Sequence, residues 1–442
     1  MPMIAKRTCR YCLTQGRFRA GLMLALLAIC ALDGNPANGQ TFRTSYGPRV
    51  RSASQQIEMP VDSGAVCGPS TDCFDLADDP CWRWASEGRL WCELDYLLWW
   101  TRASNAPPLV TTSLDGTPPE TSGVIGPLTT RVLFGGEDLS SGVHPGGRVR
   151  LGLWLDACES AGFEASYLGL ADRCASFSAS SPSTPILARP YIDLQTGQQD
   201  AMLVAHPDFL DGSLNALVET GWQTVEVAYR QALWQQCERR ADWLVGYRYA
   251  SLDEHFEVSQ ASRYTVAQGQ ILAGTTKDVF DSFAGQNEFH GGELGLIYQD
   301  ARGRWTGELM LKIALGGTRG HVDVQGRTVT TVPVPNGGIS TAEFDGGLLA
   351  QTTNAGQHVQ DGFAVLPELG VKLGYEITPQ LRLTIGYGLF AWTRVMRPLD
   401  QVDLRMSQLP PEPSTGARQP QFPYATTSFW AQGLQFGLAY DF

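Results

Sequence analysis

The stretch "LWCELDYLLWW" alternates without a break: Leu90, Cys92, Leu94, Tyr96, Leu98 and Trp100 share one side, and Glu93 and Asp95 lie on the other. A period of two over about ten residues predicts a strand with one apolar face. The same pattern returns along the chain. Val149, Leu151, Leu153 and Leu155 oppose Arg148, Arg150 and Asp156; Val225, Val227 and Tyr229 oppose Glu226 and Arg230; Trp243, Val245, Tyr247 and Tyr249 oppose Asp242 and Arg248. Further on, Leu309, Leu311 and Ile313 oppose Glu308 and Lys312. Leu369, Val371, Leu373 and Tyr375 oppose Glu368, Lys372 and Glu376, and Leu381, Leu383, Ile385 and Tyr387 oppose Arg382. Weaker copies lie at 161–170 and 288–298. A last segment, "FWAQGLQFGLAYDF", sets Leu434, Phe436, Leu438, Tyr440 and Phe442 on one side and brings the count to ten. Within the central windows the charges keep to a single face.

Alternation alone also fits a soluble sandwich. The connections decide between the two environments. After "LDACES", "LWQQCERR", "YQDARGR" and "YEITPQ" the next strand begins at once, whereas 103–145, 171–218, 252–287, 317–361 and 395–426 are long. Short and long connections in strict alternation predict an antiparallel, up-and-down transmembrane β-barrel of about 10 to 12 strands, with tight periplasmic turns and long extracellular loops. Both ends of the barrel then fall on the periplasmic side. Lipid offers no partner to an unpaired amide, so the first and last strands must pair. Leu434, Phe436, Leu438, Tyr440 and Phe442 are therefore the expected lipid face of a closure strand.

The inward face follows from the same parity. Its candidates are Glu93, Asp95, Arg148, Arg150, Glu226, Arg230, Arg248, Glu293, Glu308, Lys312, Glu368, Lys372 and Arg382. Mixed signs in a narrow barrel fit two situations: opposed charges that pair and plug the lumen, or a thin polar pore. Arg introduced at Leu311 or Leu383 should destabilise, and charge at the inward Met310 or Thr384 should be milder. Trp91, Trp234, Trp243, Tyr298, Trp305, Tyr375, Tyr440 and Phe442 are expected near the periplasmic interface, and Trp99, Trp100, Trp222, Trp392 and Trp430 near the outer one.

Composition narrows the function classes. The formal charge is -12 and Lys occurs only at 6, 277, 312 and 372, which excludes a phosphate-backbone binder. Lys6, Arg7, Arg10, Arg17 and Arg19 precede the apolar run "AGLMLALLAICAL", which reads as a secretory signal over 1–40, cut near Gly39 or Gln40. That run is too short to span a bilayer as a helix. Residues 41–88 form a polar, cysteine-bearing periplasmic lead segment, and 89–442 the barrel. Export brings the chain to an oxidising compartment, so bridges among Cys67, Cys73, Cys81 and Cys92 are expected, with Cys158, Cys174 and Cys237 also present.

Catalysis finds no support. His144, His290, His321 and His358 fall near the outer rim, but none has an acid or nucleophile at a spacing that fixes a triad or a metal site. No cofactor and no metal ligand set is expected. The partners implied are outer-membrane lipid and, transiently, the barrel assembly machinery; oligomeric state is left open. The loops "SNAPPLVTTSLDGTPPETSG" and "TVPVPNGGISTAEFDGG" are expected to fold over the mouth or present a binding surface.

Several stretches carry a resemblance beyond the class: "ELDYLLWWTRASNAPPLVTTS", "GVIGPLTTRVLFGG", "GGRVRLGLWLD", "LARPYID", "LVGYRYASLDE", "NEFHGGELGL", "LPELGVKLGYEITPQLRLTIGYGLFAWTRVMRPLDQVD" and "FWAQGLQFGLAYDF". In this order, from Leu90 to Phe442, they resemble the sequence blocks of a family of predicted outer-membrane β-barrel proteins numerous in planctomycete bacteria. The resemblance implies a barrel fold and outer-membrane placement, porin-like in architecture, and no particular activity. Two functions follow as expectations: a structural envelope component or narrow diffusion channel, and alternatively a secreted or surface-attached soluble β-protein that binds a partner through its loops.

Overall fold

The computed structural model describes residues 89–442 apart from 140–141, 182, 335–336 and 410–417. The signal peptide, the lead segment, and Cys67, Cys73 and Cys81 therefore lie outside the described residues.

Ten antiparallel strands close into a ring: β1 (Leu90–Thr101), β2 (Val143–Trp154), β3 (Ala161–Ser180), β4 (Leu210–Gln235), β5 (Arg239–Tyr264), β6 (Thr276–Arg302), β7 (Trp305–Val334), β8 (Gly356–Glu376), β9 (Leu381–Val395) and β10 (Thr427–Asp441). Each pairs with its chain neighbours, and β1 pairs with β10 from Trp91↔Asp441 to Thr101↔Ala431, which seals the sheet. No edge amide is left to the hydrocarbon. Among the described residues no helix is long and apolar enough to cross a membrane; the chain crosses with strands.

The alternation sets the two faces as physics requires. On β7 the outward Trp305, Leu309, Leu311, Ile313 and Leu315 are exposed, and the positions above them on the same face are Arg319, His321 and Asp323. About ten residues at roughly 3.3 Å rise and 40° tilt give the ~25 Å apolar band of an outer-membrane barrel. Leu383, Ile385, Leu434, Phe436, Leu438 and Tyr440 continue that band across β9 and β10.

Much of two expected loops, 252–287 and 317–361, is strand instead. Residues 252–264, 276–287 and 317–334 belong to β5, β6 and β7, which run 26, 27 and 30 residues, far beyond the 9 to 11 a bilayer needs. Above the lipid level the outward face turns polar, so the apolar-outside pattern ends while the hydrogen-bonded ladder goes on. One bulge adjusts the wall: β3 carries two residues, Ala171 and Asp172, against Gly221 of β4. The inward set on β3 then changes from Leu168 and Leu170 to Ala175, Phe177 and Ala179.

The connections at the periplasmic end are short. Between β6 and β7 only Gly303 and Arg304 intervene, and Gly303 takes φ +59°, the left-handed conformation such hairpins need. At the outer end, residues 110–113, 130–134, 187–193, 198–205 and 405–406 form a five-stranded sheet that fills the mouth. Val110, Leu187, Val204, Phe256, Phe283 and Val322 share its apolar core with the tall strands.

Cys158, Cys174 and Cys237 are disulfide-bonded. Bridging therefore extends beyond the expected Cys67, Cys73, Cys81 and Cys92 set, of which Cys92 is buried near the start of β1.

Candidate functional site: a layered lumen

The inward face of the barrel is stacked in layers. Nearest the periplasm is a cup of about 1120 Å³, walled by Trp91, Arg150, Trp154, Arg240, Arg304 and Arg382 among others. Arg382 belongs here rather than with the other inward charges: it is partly exposed, and its nearest acid is Asp441 at 3.7 Å. The guanidinium groups of Arg240 and Arg230 lie 4.5 and 5.1 Å from the Trp154 ring centre.

From the cup upward the other twelve predicted inward charges are all buried or nearly so, and they pair across the lumen. Arg150 on β2 bridges Glu93 and reaches Glu308 on β7, five strands away around the ring, at 3.5 Å. Arg148 bonds Glu368 at 2.5 Å. Arg248 sits among three carboxylates, bridging Glu226, Glu293 and, at 2.6 Å, Glu368. Lys312 lies 2.7 Å from Glu226, 3.1 Å from Glu164 and 3.8 Å from Glu293. Lys372 bridges Glu93 and lies 2.7 Å from Asp95. Such charges cannot be left solitary at low dielectric, and each has at least one opposite partner within ion-pair distance.

The sequence pattern did not single out Glu164 or Arg240, and it set Asp242 on the polar face of its strand without carrying it into the inward set. Arg230 is 2.6 Å from Asp242, and Arg240 is 2.7 Å from it. All three share the inward parity of their strands. Glu164 was passed over because β3 alternates weakly, Arg240 because it precedes the alternating window of β5.

The next layer corrects the expected outer girdle. Trp99, Trp222 and Trp392 do not face lipid: they are at most 1% exposed and point inward with Phe289, Phe390 and Phe429. Trp222 packs on Phe390 at 4.6 Å and on Phe429 at 5.9 Å between ring centres. Phe289 meets Trp392 edge-on at 6.2 Å. Parity was the signal available, because Trp99 is odd like Glu93 and Asp95, and Trp392 is even like Arg382. Gly388 makes the layer possible, since a Cβ there would stand 2.6 Å from the Trp99 ring. Arg148 and Arg248 cover this layer from below, 5.8 Å from the Trp99 and Phe390 ring centres respectively. The periplasmic aromatics form outward pairs such as Trp305 with Tyr375 at 4.9 Å and Trp234 with Tyr298 at 6.2 Å. Trp91 is instead turned into the cup.

Above the rings, the mouth carries its own buried ion pairs. Arg189 binds Asp281 at 2.6 Å, and Arg397 binds Glu254 at 2.5 Å. The Asp281 carboxylate also accepts the backbone N–H groups of Leu349 and Ala350, each at 2.8 Å, which ties the 346–351 turn to β6.

A sealed antiparallel ring with an apolar outer belt, a charge-paired lumen and short periplasmic turns defines an outer-membrane β-barrel protein, which sets aside the soluble exported β-protein. Residues 91–442 match the model of the family described as "Putative beta barrel porin-7 (BBP7)", and the chain belongs to that family. No curated protein matches the sequence. Among solved structures the chain is similar to the outer membrane protease OmpT of Escherichia coli, with 8% identity, 81% of this chain and 98% of that chain covered, and a TM-score of 0.39. It is also similar to the Pseudomonas putida toluene transporter TodX, with 9% identity, coverage of 83% and 93%, and a TM-score of 0.23. A Pseudomonas aeruginosa FadL homologue matches with 8% identity, coverage of 82% and 92%, and a TM-score of 0.21. At these scores the likenesses carry no argument about activity.

Proposed function

We propose that this protein is a closed structural barrel of the outer membrane, presenting a rigid capped wall outward, rather than an open diffusion channel. One observation carries the reading: six fully buried aromatic rings cross the lumen between the ion-pair layer and the folded mouth. A barrel of ten strands has room for side chains and little else. Here those side chains meet across the ring, as Arg150 and Glu308 do.

No catalytic role belongs to this reading. The rim histidines are engaged locally: His144 with Thr101 at 3.0 Å, His290 with Tyr247 at 2.5 Å, and His358 with the Asn354 carbonyl at 2.9 Å. Partners in this reading are outer-membrane lipid, through the apolar belt, and the assembly machinery that delivers the closing strand.

Purified protein in a planar lipid bilayer should give no stepwise conductance. Stable single-channel steps from the unmodified chain would replace this reading with that of a narrow porin.

A further inference from the structure

We infer that the periplasmic cup binds a hydroxylated organic anion, of the class of a sugar acid or sugar phosphate. The wall of the cup leaves hydrogen-bond donors over. Arg150 is 2% exposed, and its closest contacts with Glu93 and Glu308 both run through Nη2, while its Nε is buried without a hydrogen-bond partner. Arg382 repeats this arrangement: its Nη2 stands 3.7 Å from Asp441, and its Nε is buried and unpartnered. Among the described residues that line the cup, no other buried side-chain nitrogen or oxygen lacks a partner. Both orphans are guanidinium N–H groups, which donate and never accept, so the partner they call for is an acceptor. Carboxylate and phosphate oxygens are the acceptors that a guanidinium binds most strongly.

The strand register sets the two arginines in one row. Arg150 on β2 faces Glu93 on β1, Glu93 faces Ala439 on β10, and Ala439 faces Arg382 on β9. Ala439 thus puts only a methyl group between Glu93 and Arg382. The remaining wall suits a ligand with a body. Trp91 lines the cup, and its ring has room only because Gly152 carries no side chain; a Cβ there would stand 2.1 Å from the ring. Glu376, Gln380 and Asp441 stand along the same wall and present oxygens to hydroxyl groups. The cavity, about 1120 Å³, lies at the upper end for a small-molecule site. An inorganic anion would leave most of it unfilled, and an apolar molecule would leave both arginine donors unmet. The site lies below the aromatic layer and does not depend on that layer being closed.

The test uses the full exported chain folded in detergent, with three probes that share one body: glucuronate, glucose-6-phosphate and glucose. Isothermal titration should show one saturable site for at least one of the two anions, about tenfold or more tighter than for glucose, the difference expected of a hydrogen bond to a charged group. The tighter anion identifies the head group. Arg382→Gln removes one orphan donor, and Ala439→Leu fills the gap in the row without touching a charge. Each should weaken anion binding about tenfold while heat-modifiable migration stays that of the parent. No saturation by either anion, or glucose binding as tightly as both, would mean that water alone meets these donors and would overturn the site. Anion binding that both folded variants retain would place the anion elsewhere and overturn it as well.

Discussion

Trp99 on β1 and Trp222 on β4 stack with ring centres 6.2 Å apart and planes 20° from parallel, although their strands stand three apart in the ring. The contact reaches across the lumen from side chains alone, and in the closed-barrel reading it is part of the seal.

Removing one of these rings should open it. Trp222→Ala deletes the side chain that touches Trp99, Phe390 and Phe429, and a buried Trp truncation costs about 3 to 5 kcal/mol. The variant should show a lower urea midpoint together with flickering conductance that the parent lacks. An unchanged midpoint would mean that the rings do not pack as described.

Arg248 is the common cation of Glu226, Glu293 and Glu368. Arg248→Leu takes one of the cations from each of three buried carboxylates, and breaking a buried pair in this way costs about 3 to 5 kcal/mol. Heat-modifiable gel migration reads the loss directly. Adding Glu293→Gln to the same chain should recover part of it, because one carboxylate is then removed with the one cation while Glu226 keeps Lys312 and Glu368 keeps Arg148. Failure of that recovery would show that Arg248 acts through packing on Phe390 instead.

Leu311 is 47% exposed at mid-belt, facing outward. Leu311→Arg should destabilise by about 2 to 4 kcal/mol in refolding into lipid. The sequence alone suggested that a charge at its inward neighbour Met310 would be milder. Met310 instead packs with Ala228, Leu244 and Ile297 and is 3% exposed, so Met310→Arg should cost at least as much. A mild Met310→Arg variant would place that residue at open water.

In the turn after β2, the Asp156 carboxylate accepts the Ser160 N–H at 2.9 Å, the Ser160 hydroxyl at 2.8 Å and the Ala161 N–H at 3.0 Å. Partial burial pushes this carboxyl up, but those donors outweigh it and hold the pKa below the usual value. A lowered folded-state value means stability that is present above the unfolded pKa and lost as pH falls through the folded one. Asp156→Ala should therefore cost about 1 kcal/mol at neutral pH, with the gap to the parent closing on acidification. A gap independent of pH would assign the effect to backbone propensity.

The parity of each strand was legible from the chain, and with it the outward set around Leu311 and Leu438 and the inward charges from Glu93 to Lys372. Periodicity is local, so it needs no knowledge of partners. Glu164 was harder to see, because Gly162, Ser166 and Gly169 around it blur the alternation of β3. The height of β5 to β7 was not legible at all: once the outer face is wet, polar and apolar residues alternate less sharply although the ladder continues.

The sequence by itself determined which side of the strongly alternating strands meets lipid, since charge is costly in hydrocarbon and the repeat of two assigns each residue a side. Only the tertiary structure decided what the inward side encloses. Whether Arg150 meets Glu308 or open water, and whether Trp99 faces a membrane or another ring, depends on how many strands share the circle. That number sets the distance between residues far apart in the chain, which no local pattern encodes.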